Sequence, residues 1–237
     1  MKSSTFVLVH GAWHGGWCWS RVAERLRAAG QHVFTPTLTG LGERSHLLSP
    51  AINLDTFTQD IKNVLAWEDL RDVVLVGHSF GGLAISGAAD QEAHRIRRLV
   101  YLDAFLLQPG TSAFDTFPAE VVSKLEARAA TAGGIAPPRP TSLGLESEED
   151  IQFVRERLTP HPIGTYRQPF HLRHPLGNGL PATYLRCTQP QFAGVADTYA
   201  WVREAYGDQW DWAELPCGHD AMVTAPALLT QTLLDIA

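Results

Sequence analysis

Residues 72–82 read DVVLVGHSFGG, and the fold is read outward from them. Asp72–Val76 is an unbroken apolar run of strand length, the pattern of a strand buried on both faces. It runs into Gly77-His78-Ser79-Phe80-Gly81, a G-x-S-x-G pentapeptide, and then into small helix-compatible residues over Phe80–Ala89. The pentapeptide alone is a weak signal. Between a buried strand and a helix it is a strong one, because a nucleophile elbow needs that setting: the serine sits in a strained turn, and small neighbours let strand and helix approach closely. Ser79 is therefore the candidate nucleophile.

Upstream, Thr5–His10 (TFVLVH) reads as a strand and Gly11–Trp19 as a Gly/Trp loop. Trp19–Ala29 has helical spacing, with Val22, Leu26 and Ala29 on one face and Gly30 as a stop. His32–Thr35 is a second short strand, Pro36–Pro50 a long loop, and Asp55–Trp67 an amphipathic helix. Downstream, Arg98–Leu102 is another buried strand, and the basic run Arg95–Arg98 reads as the solvated end of a helix. Repeated βα units imply a parallel sheet covered by helices on both faces.

The alternation breaks between Gln108 and Leu180, where helical stretches (Ala119–Ala130, Ser147–Leu158) are joined by Pro/Gly-rich connectors. Gly133–Pro140 is the candidate mobile connector. Strand signal resumes at Ala182–Cys187, followed by a helix over Asp197–Ala205, a strand at Asp211–Leu215 and a last helix after His219. The expectation is an α/β core of residues 1–107 and 181–237 with a mostly parallel sheet, interrupted by a helical cap of residues 108–180. Such a cap would cover the C-terminal edge of the sheet, where ligands bind.

Composition bounds the partners. Across 237 residues, 45% hydrophobic and 19% charged is ordinary for a soluble protein, and a net charge of -6 disfavours nucleic acid. Cys18, Cys187 and Cys217 lack the number and spacing of a disulfide framework or zinc site and read as buried apolar residues. Neither a signal-peptide core over Met1–Val9 nor a membrane-spanning stretch is present. The expectation is a cytoplasmic protein acting on a small molecule, without membrane or nucleic-acid partners; a homodimer is left open.

A serine hydroxyl needs a base. Of ten histidines, His219 lies just past the last strand, in the chain order serine, acid, histidine expected of such a site. His10 and His78 flank motif glycines and read as structural or pocket-lining; His161, His171 and His174 fall in the cap. The acid is open. The loop after Ala182–Cys187 reads Thr188-Gln189-Pro190-Gln191-Phe192 and offers no carboxylate. Asp103, at the end of the strand next to the nucleophile strand, is the first choice, Asp197 the second and Asp220 the third. The backbone N–H groups of Ala12 and Phe80 are candidates for an oxyanion hole. Trp13, His14, Phe105 and Tyr166 are candidate substrate contacts, and the aromatics Phe114, Phe117, Phe153 and Phe170 could add to an apolar pocket.

Together, VLVHGAWHGGWCW (Val7–Trp19) and VVLVGHSFGG (Val73–Gly82) resemble the plant methyl-esterase and hydroxynitrile-lyase branch of the α/β-hydrolase superfamily and its bacterial esterase relatives. The resemblance covers residues 5–105 and 181–237 and is weakest in the cap. It implies a six-stranded α/β-hydrolase sheet, a helical cap and no cofactor. Hydroxynitrile lyases of that branch carry threonine where this chain has Gly11, and lysine where it has Asp220. A carboxylate at the second position would repel cyanide, so the esterase side of the branch is favoured. Pro190 stands where the plant enzymes carry their triad aspartate. The expected activity is hydrolysis of a small, largely apolar ester (aryl or methyl ester, or lactone) through an acyl-enzyme on Ser79, with no metal. A cofactor-free lyase or C–C bond hydrolase on the same scaffold, or a non-catalytic small-molecule binding protein, are the alternatives.

Overall fold

The computed structural model describes residues 3–237; Met1 and Lys2 lie outside the described residues, and with them the start of the segment read for a signal peptide. Six strands form one sheet: β1 (Thr5–Val9), β2 (His32–Phe34), β3 (Val73–His78), β4 (Ile96–Leu102), β5 (Ala182–Cys187) and β6 (Asp211–Leu215). Their spatial order is β2-β1-β3-β4-β5-β6, and every pairing is parallel. Helices α1 (Ser20–Ala28), α2 (Leu54–Trp67) and α3 (Gly81–Glu92) follow the first three strands. Three more, α4 (Ala119–Ala132), α5 (Glu148–Arg155) and α6 (Gly164–Arg167), lie between β4 and β5. Then come α7 (Ala196–Tyr206), α8 (Ala221–Thr224) and α9 (Pro226–Ile236).

Side chains alternate across a strand, so each strand feeds two cores. From β1, Phe6 and Leu8 pack with Val22 and Leu26 of α1 and with Leu229 and Leu233 of α9. Val7 and Val9 face the other way, with Phe57, Ile61 and Leu65 of α2, Ala84 and Ala88 of α3, and Val202 of α7. All six residues of β3 are buried, as a central parallel strand requires. The helix α2 starts on a capping box, with the Asn53 side chain accepting from Thr56 N–H.

Three details differ from the sequence reading. The basic run is a helix end only at its first residue: Arg95 closes the short 3-10 turn Ala93–Arg95, whereas Arg97 and Arg98 lie within β4, at the end where long side chains reach water. Arg98 donates to Thr183 Oγ1 at 2.9 Å and Asp211 Oδ2 at 2.7 Å, across two neighbouring strands. Helix α5 is shorter than the periodicity suggested, beginning after Ser147, whose side chain accepts from Asp150 N–H. The C-terminal helix is two, because Pro226 turns the preceding residue away from helical geometry.

The inserted segment is tied to the core near the C-terminal ends of the strands. Trp13 Nε1–H donates to Ile135 O at 3.0 Å, Thr159 N–H to Trp13 O at 2.9 Å, and Leu54 N–H to Gln168 Oε1 at 2.7 Å. Ile135 and His161 form an isolated antiparallel bridge.

Candidate active site

In the β3–β4 register His78 stands opposite Leu102, so the next residues, Ser79 and Asp103, emerge side by side from adjacent strands. Both have left-handed backbones, with φ of 51° at Ser79 and 41° at Asp103. Non-glycine residues rarely adopt that region, and here hydrogen bonds hold them in it. Ser79 N–H donates to Leu102 O at 3.1 Å, Phe105 N–H to Ser79 O at 2.8 Å, and Asp103 N–H to Leu185 O at 2.7 Å. The elbow also needs close approach: a Cβ on Gly81 would stand 2.5 Å from His10 O, so no larger residue fits where α3 leaves the turn.

Asp103 and His219 are brought together although 116 residues apart in sequence. Asp103 Oδ2 accepts from His219 Nδ1–H at 2.6 Å, and Asp103 Oδ1 accepts from Cys187 N–H at 3.1 Å. Both side chains are almost wholly buried. The His219 ring lies 4.1 Å from that of Phe192 and 4.6 Å from that of His78, and His78 Nε2–H donates to the His219 carbonyl at 3.0 Å. Asp197 is exposed on α7, and Asp220 is paired elsewhere. Among the described residues, no protein acceptor takes the N–H of Ala12 or of Phe80.

Ser79 opens into a cavity of about 210 Å³ walled by Ala12 and the rings of Trp13, Phe80, Phe105, Phe117, Tyr166 and Phe192. The Tyr166 ring stacks on Phe80 at 4.9 Å, and burial pushes its phenol pKa up. A second cavity of about 360 Å³ shares Phe105, Phe117 and Gly194 with the first and adds Gln108, Thr111, Asp115 and Asp197. Among the described residues, no Lys, Arg or His lines either.

Of the expected substrate contacts, Trp13, Phe105 and Tyr166 line the first cavity and His14 does not. His14 is buried against Ala12 O and Asp220 Oδ2, at 2.8 and 3.1 Å. Of the other aromatics, Phe117 lines the cavity and Phe114 packs on Tyr166, whereas Phe170 is core and Phe153 meets Trp17 edge-on away from the site. Asp220 lines neither cavity, so its carboxylate faces no ligand, and the contrast with the lyases rests on the missing lysine. The sequence reading overlooked Phe192, Gly194 and Val195, which wall the cavity from the loop after β5. The apolar residues of that loop are the sequence signal for them.

The remaining histidines have other partners. His10 donates to Gly11 O at 2.8 Å and accepts from Leu38 N–H at 3.0 Å; His161 lies 2.9 Å from Thr165 Oγ1. Burial lowers both to about 3, so both are neutral. His171 and His174 are exposed, the latter against Asp90. The three cysteines are free and buried. Donor atoms of His78, His219 and Asp220 lie within 4.8 Å of one another. Each also makes a contact within the protein: His78 with the His219 carbonyl, His219 with Asp103, and Asp220 with His14. No helix among the described residues is long and apolar enough to cross a membrane.

A model of the alpha/beta hydrolase family matches residues 6–232. The chain belongs to that family. This hydrolase is 36% identical to the carbendazim hydrolyzing esterase of Nocardioides sp., over 97% of this chain and 98% of that one. It is 30% identical to pheophorbidase of Raphanus sativus, over 67% of this chain and 65% of that one. Among solved structures it is similar to an extracellular α/β-hydrolase from a Paenibacillus species described as sharing structural and functional homology with tobacco salicylic acid binding protein 2. That likeness has a TM-score of 0.83 at 26% identity, over 98% of both chains.

Proposed function

We propose that this hydrolase is a serine esterase cleaving small, largely apolar carboxylic esters (aryl or methyl esters, or lactones) through an acyl-enzyme on Ser79. The observation that carries the reading is the buried 2.6 Å contact between Asp103 and His219, made from the strand end beside Ser79. A carboxylate on Nδ1 fixes the tautomer whose Nε2 is free to accept a proton. Esterase names among the relatives support the class of reaction.

In the proposed cycle Ser79 Oγ attacks the ester carbonyl carbon as His219 Nε2 takes its proton. The carbonyl oxygen becomes an oxyanion held by the N–H groups of Ala12 and Phe80. Collapse breaks the bond to the leaving alcohol, which receives the proton from His219. Water, deprotonated by His219, then attacks the acyl carbon and returns Ser79 to its starting state. Asp103 stabilises the imidazolium in both halves. A cavity walled by aromatic rings suits a flat, apolar acyl or alcohol group. With Asp115 and Asp197 on the adjoining cavity and no cation on either, a free carboxylate on the substrate would be disfavoured.

The test is hydrolysis of p-nitrophenyl acetate and butyrate by wild type and by Ser79→Ala, with carbendazim as a further substrate because of the Nocardioides relative. Turnover by wild type with an initial burst, abolished in Ser79→Ala, is expected. A folded wild type inactive on all three, or a variant as active as wild type, would refute the reading.

A further inference from the structure

His14 joins two parts of the proposed machinery, and its protonation follows from its partners. Its Nδ1 lies 2.8 Å from the carbonyl of Ala12, and a carbonyl only accepts, so Nδ1 carries a hydrogen. Its Nε2 lies 3.1 Å from Asp220 Oδ2. One proton belongs between those two atoms, either on the ring, giving an imidazolium and a carboxylate, or on the acid, giving a neutral pair. Both side chains are sealed from water, at 2% and 0% exposure. The His14 ring stacks on Trp17 at 5.4 Å, a face that favours a cation.

The surroundings favour the ion pair. Burial alone would lower His14, but the Asp220 carboxylate beside it and the two hydrogen bonds raise it on balance. Asp220, despite its own burial, is held below the usual carboxylate range by His14, with smaller contributions from His78 and His219. The other titratable groups packed around the pair are His10, Cys18, His78, Cys187 and His219. Burial drives His10 and His78 to the neutral form and holds the Cys18 thiol protonated, while the Cys217 contact, with burial second, holds the Cys187 thiol protonated, so none of these four supplies a competing charge.

Each end of the pair is anchored to a residue with a proposed role. His14 holds the carbonyl of Ala12, whose N–H is assigned to the oxyanion. Asp220 follows His219 directly, its N–H donates to Leu143 O at 3.2 Å in the cap, and its Oδ1 stands 3.8 Å from His78 Nε2. That same His78 nitrogen donates to the His219 carbonyl. The only covalent route between Ala12 and His219 runs through most of the chain.

We infer that His14 and Asp220 are a positioning pair, a buried imidazolium–carboxylate clamp that holds the Ala12 oxyanion donor in place relative to the His219 segment. The inference rests on the serine-esterase reading. Neither residue lines the Ser79 cavity, so the clamp acts on turnover and not on substrate contact. As a net-neutral pair it also places no uncompensated charge beside His219.

Side-chain NMR of histidine-labelled protein tests this directly. At pH 8 an ordinary histidine is neutral; His14 of the wild type is expected to be protonated on both nitrogens. In Asp220→Asn it should become a neutral ring retaining Nδ1–H. That variant should lose roughly ten- to a hundredfold in kcat while KM stays within about twofold, the pattern of a displaced rather than deleted group. A pair that is only structural would lower Tm and leave kcat per folded molecule unchanged, and that result would overturn the proposal. A neutral His14 at pH 8 in active wild type overturns it equally, and that measurement holds even if the variant does not fold. A folded wild type that hydrolyses no ester removes the esterase reading itself, together with the clamp's part in turnover.

Discussion

Replacing Asp103 by asparagine isolates the role assigned to its charge. The two side chains have the same shape, and the buried site offers only two partners: His219 Nδ1 on one oxygen and Cys187 N–H on the other. Cys187 N–H is a donor and demands an oxygen. The asparagine NH2 is then turned toward His219, which can meet it only by presenting an unprotonated Nδ1 and moving its hydrogen to Nε2. That tautomer cannot take the proton of Ser79. The flipped amide restores the His219 contact but sets NH2 against the Cys187 N–H, two buried donors facing each other. Either way the imidazolium loses its counter-charge. The expected loss is about 10³- to 10⁴-fold in kcat, about 4 to 5.5 kcal/mol of barrier at about 1.4 kcal/mol per decade. Steady-state hydrolysis of p-nitrophenyl butyrate measures it, with KM expected to stay near wild type and thermal unfolding confirming the fold. Asp197→Asn, an exposed change on α7, is the control and should cost little. A loss below about tenfold in Asp103→Asn, or an equal loss in Asp197→Asn, would refute the assignment.

Two further perturbations follow from packing and burial. Gly11→Ala would place a Cβ 2.7 Å from Ser79 Cβ and 3.1 Å from His78 Nδ1, so the elbow must shift. More than about tenfold loss of kcat is expected, and wild-type turnover by the variant would show that the elbow is not held as described. His10 and His161, with pKa values lowered to about 3, bind a proton more readily in the unfolded chain. The stability they contribute is therefore complete above about pH 6.5 and falls as pH drops toward 3, by about 1.4 kcal/mol per pH unit for each. His14, raised above its ordinary value, works oppositely, and its contribution is lost as pH rises through its folded pKa. Urea midpoints between pH 7 and pH 4.5 should show the acid-side decline, and His161→Gln should lessen its slope by about one proton; an unchanged slope would contradict the neutral assignment.

The continuous apolar runs made the central strands legible, because a parallel strand buried on both faces has no polar side to obscure it. Ala182–Cys187 and Asp211–Leu215 match β5 and β6 residue for residue. The run Arg95–Arg98 misleads beyond Arg95, because charge at the water-facing end of a strand resembles charge at a helix end. The strand-end position of Asp103 was readable from its distance to the elbow in sequence. Its contact with His219 was not, since it depends on where the loop after β6 folds back. His14 was the least legible residue: a histidine in a Gly/Trp loop near the proposed oxyanion donor suggests a ligand contact. Only the folded chain brings Asp220, 206 residues away, to its other nitrogen. Phe192 shows in the sequence only as an apolar residue of its loop, because a ring contact with a distant histidine leaves no periodic trace.

Asp103 sits after β4, and this has a consequence for the loop after β5. A loop that carried the carboxylate would have its length and course dictated by the need to reach the imidazole. With the proposed triad carboxylate on Asp103, residues 188–195 are relieved of that duty and free to serve as a wall, and Phe192, Gly194 and Val195 line the cavity. Insertions or exchanges there could reshape what the cavity admits while Ser79, Asp103 and His219 keep their places on the sheet. Selectivity and turnover would then be separable in mutagenesis and in evolution, with the loop after β5 the place to look for divergence in substrate range among close relatives.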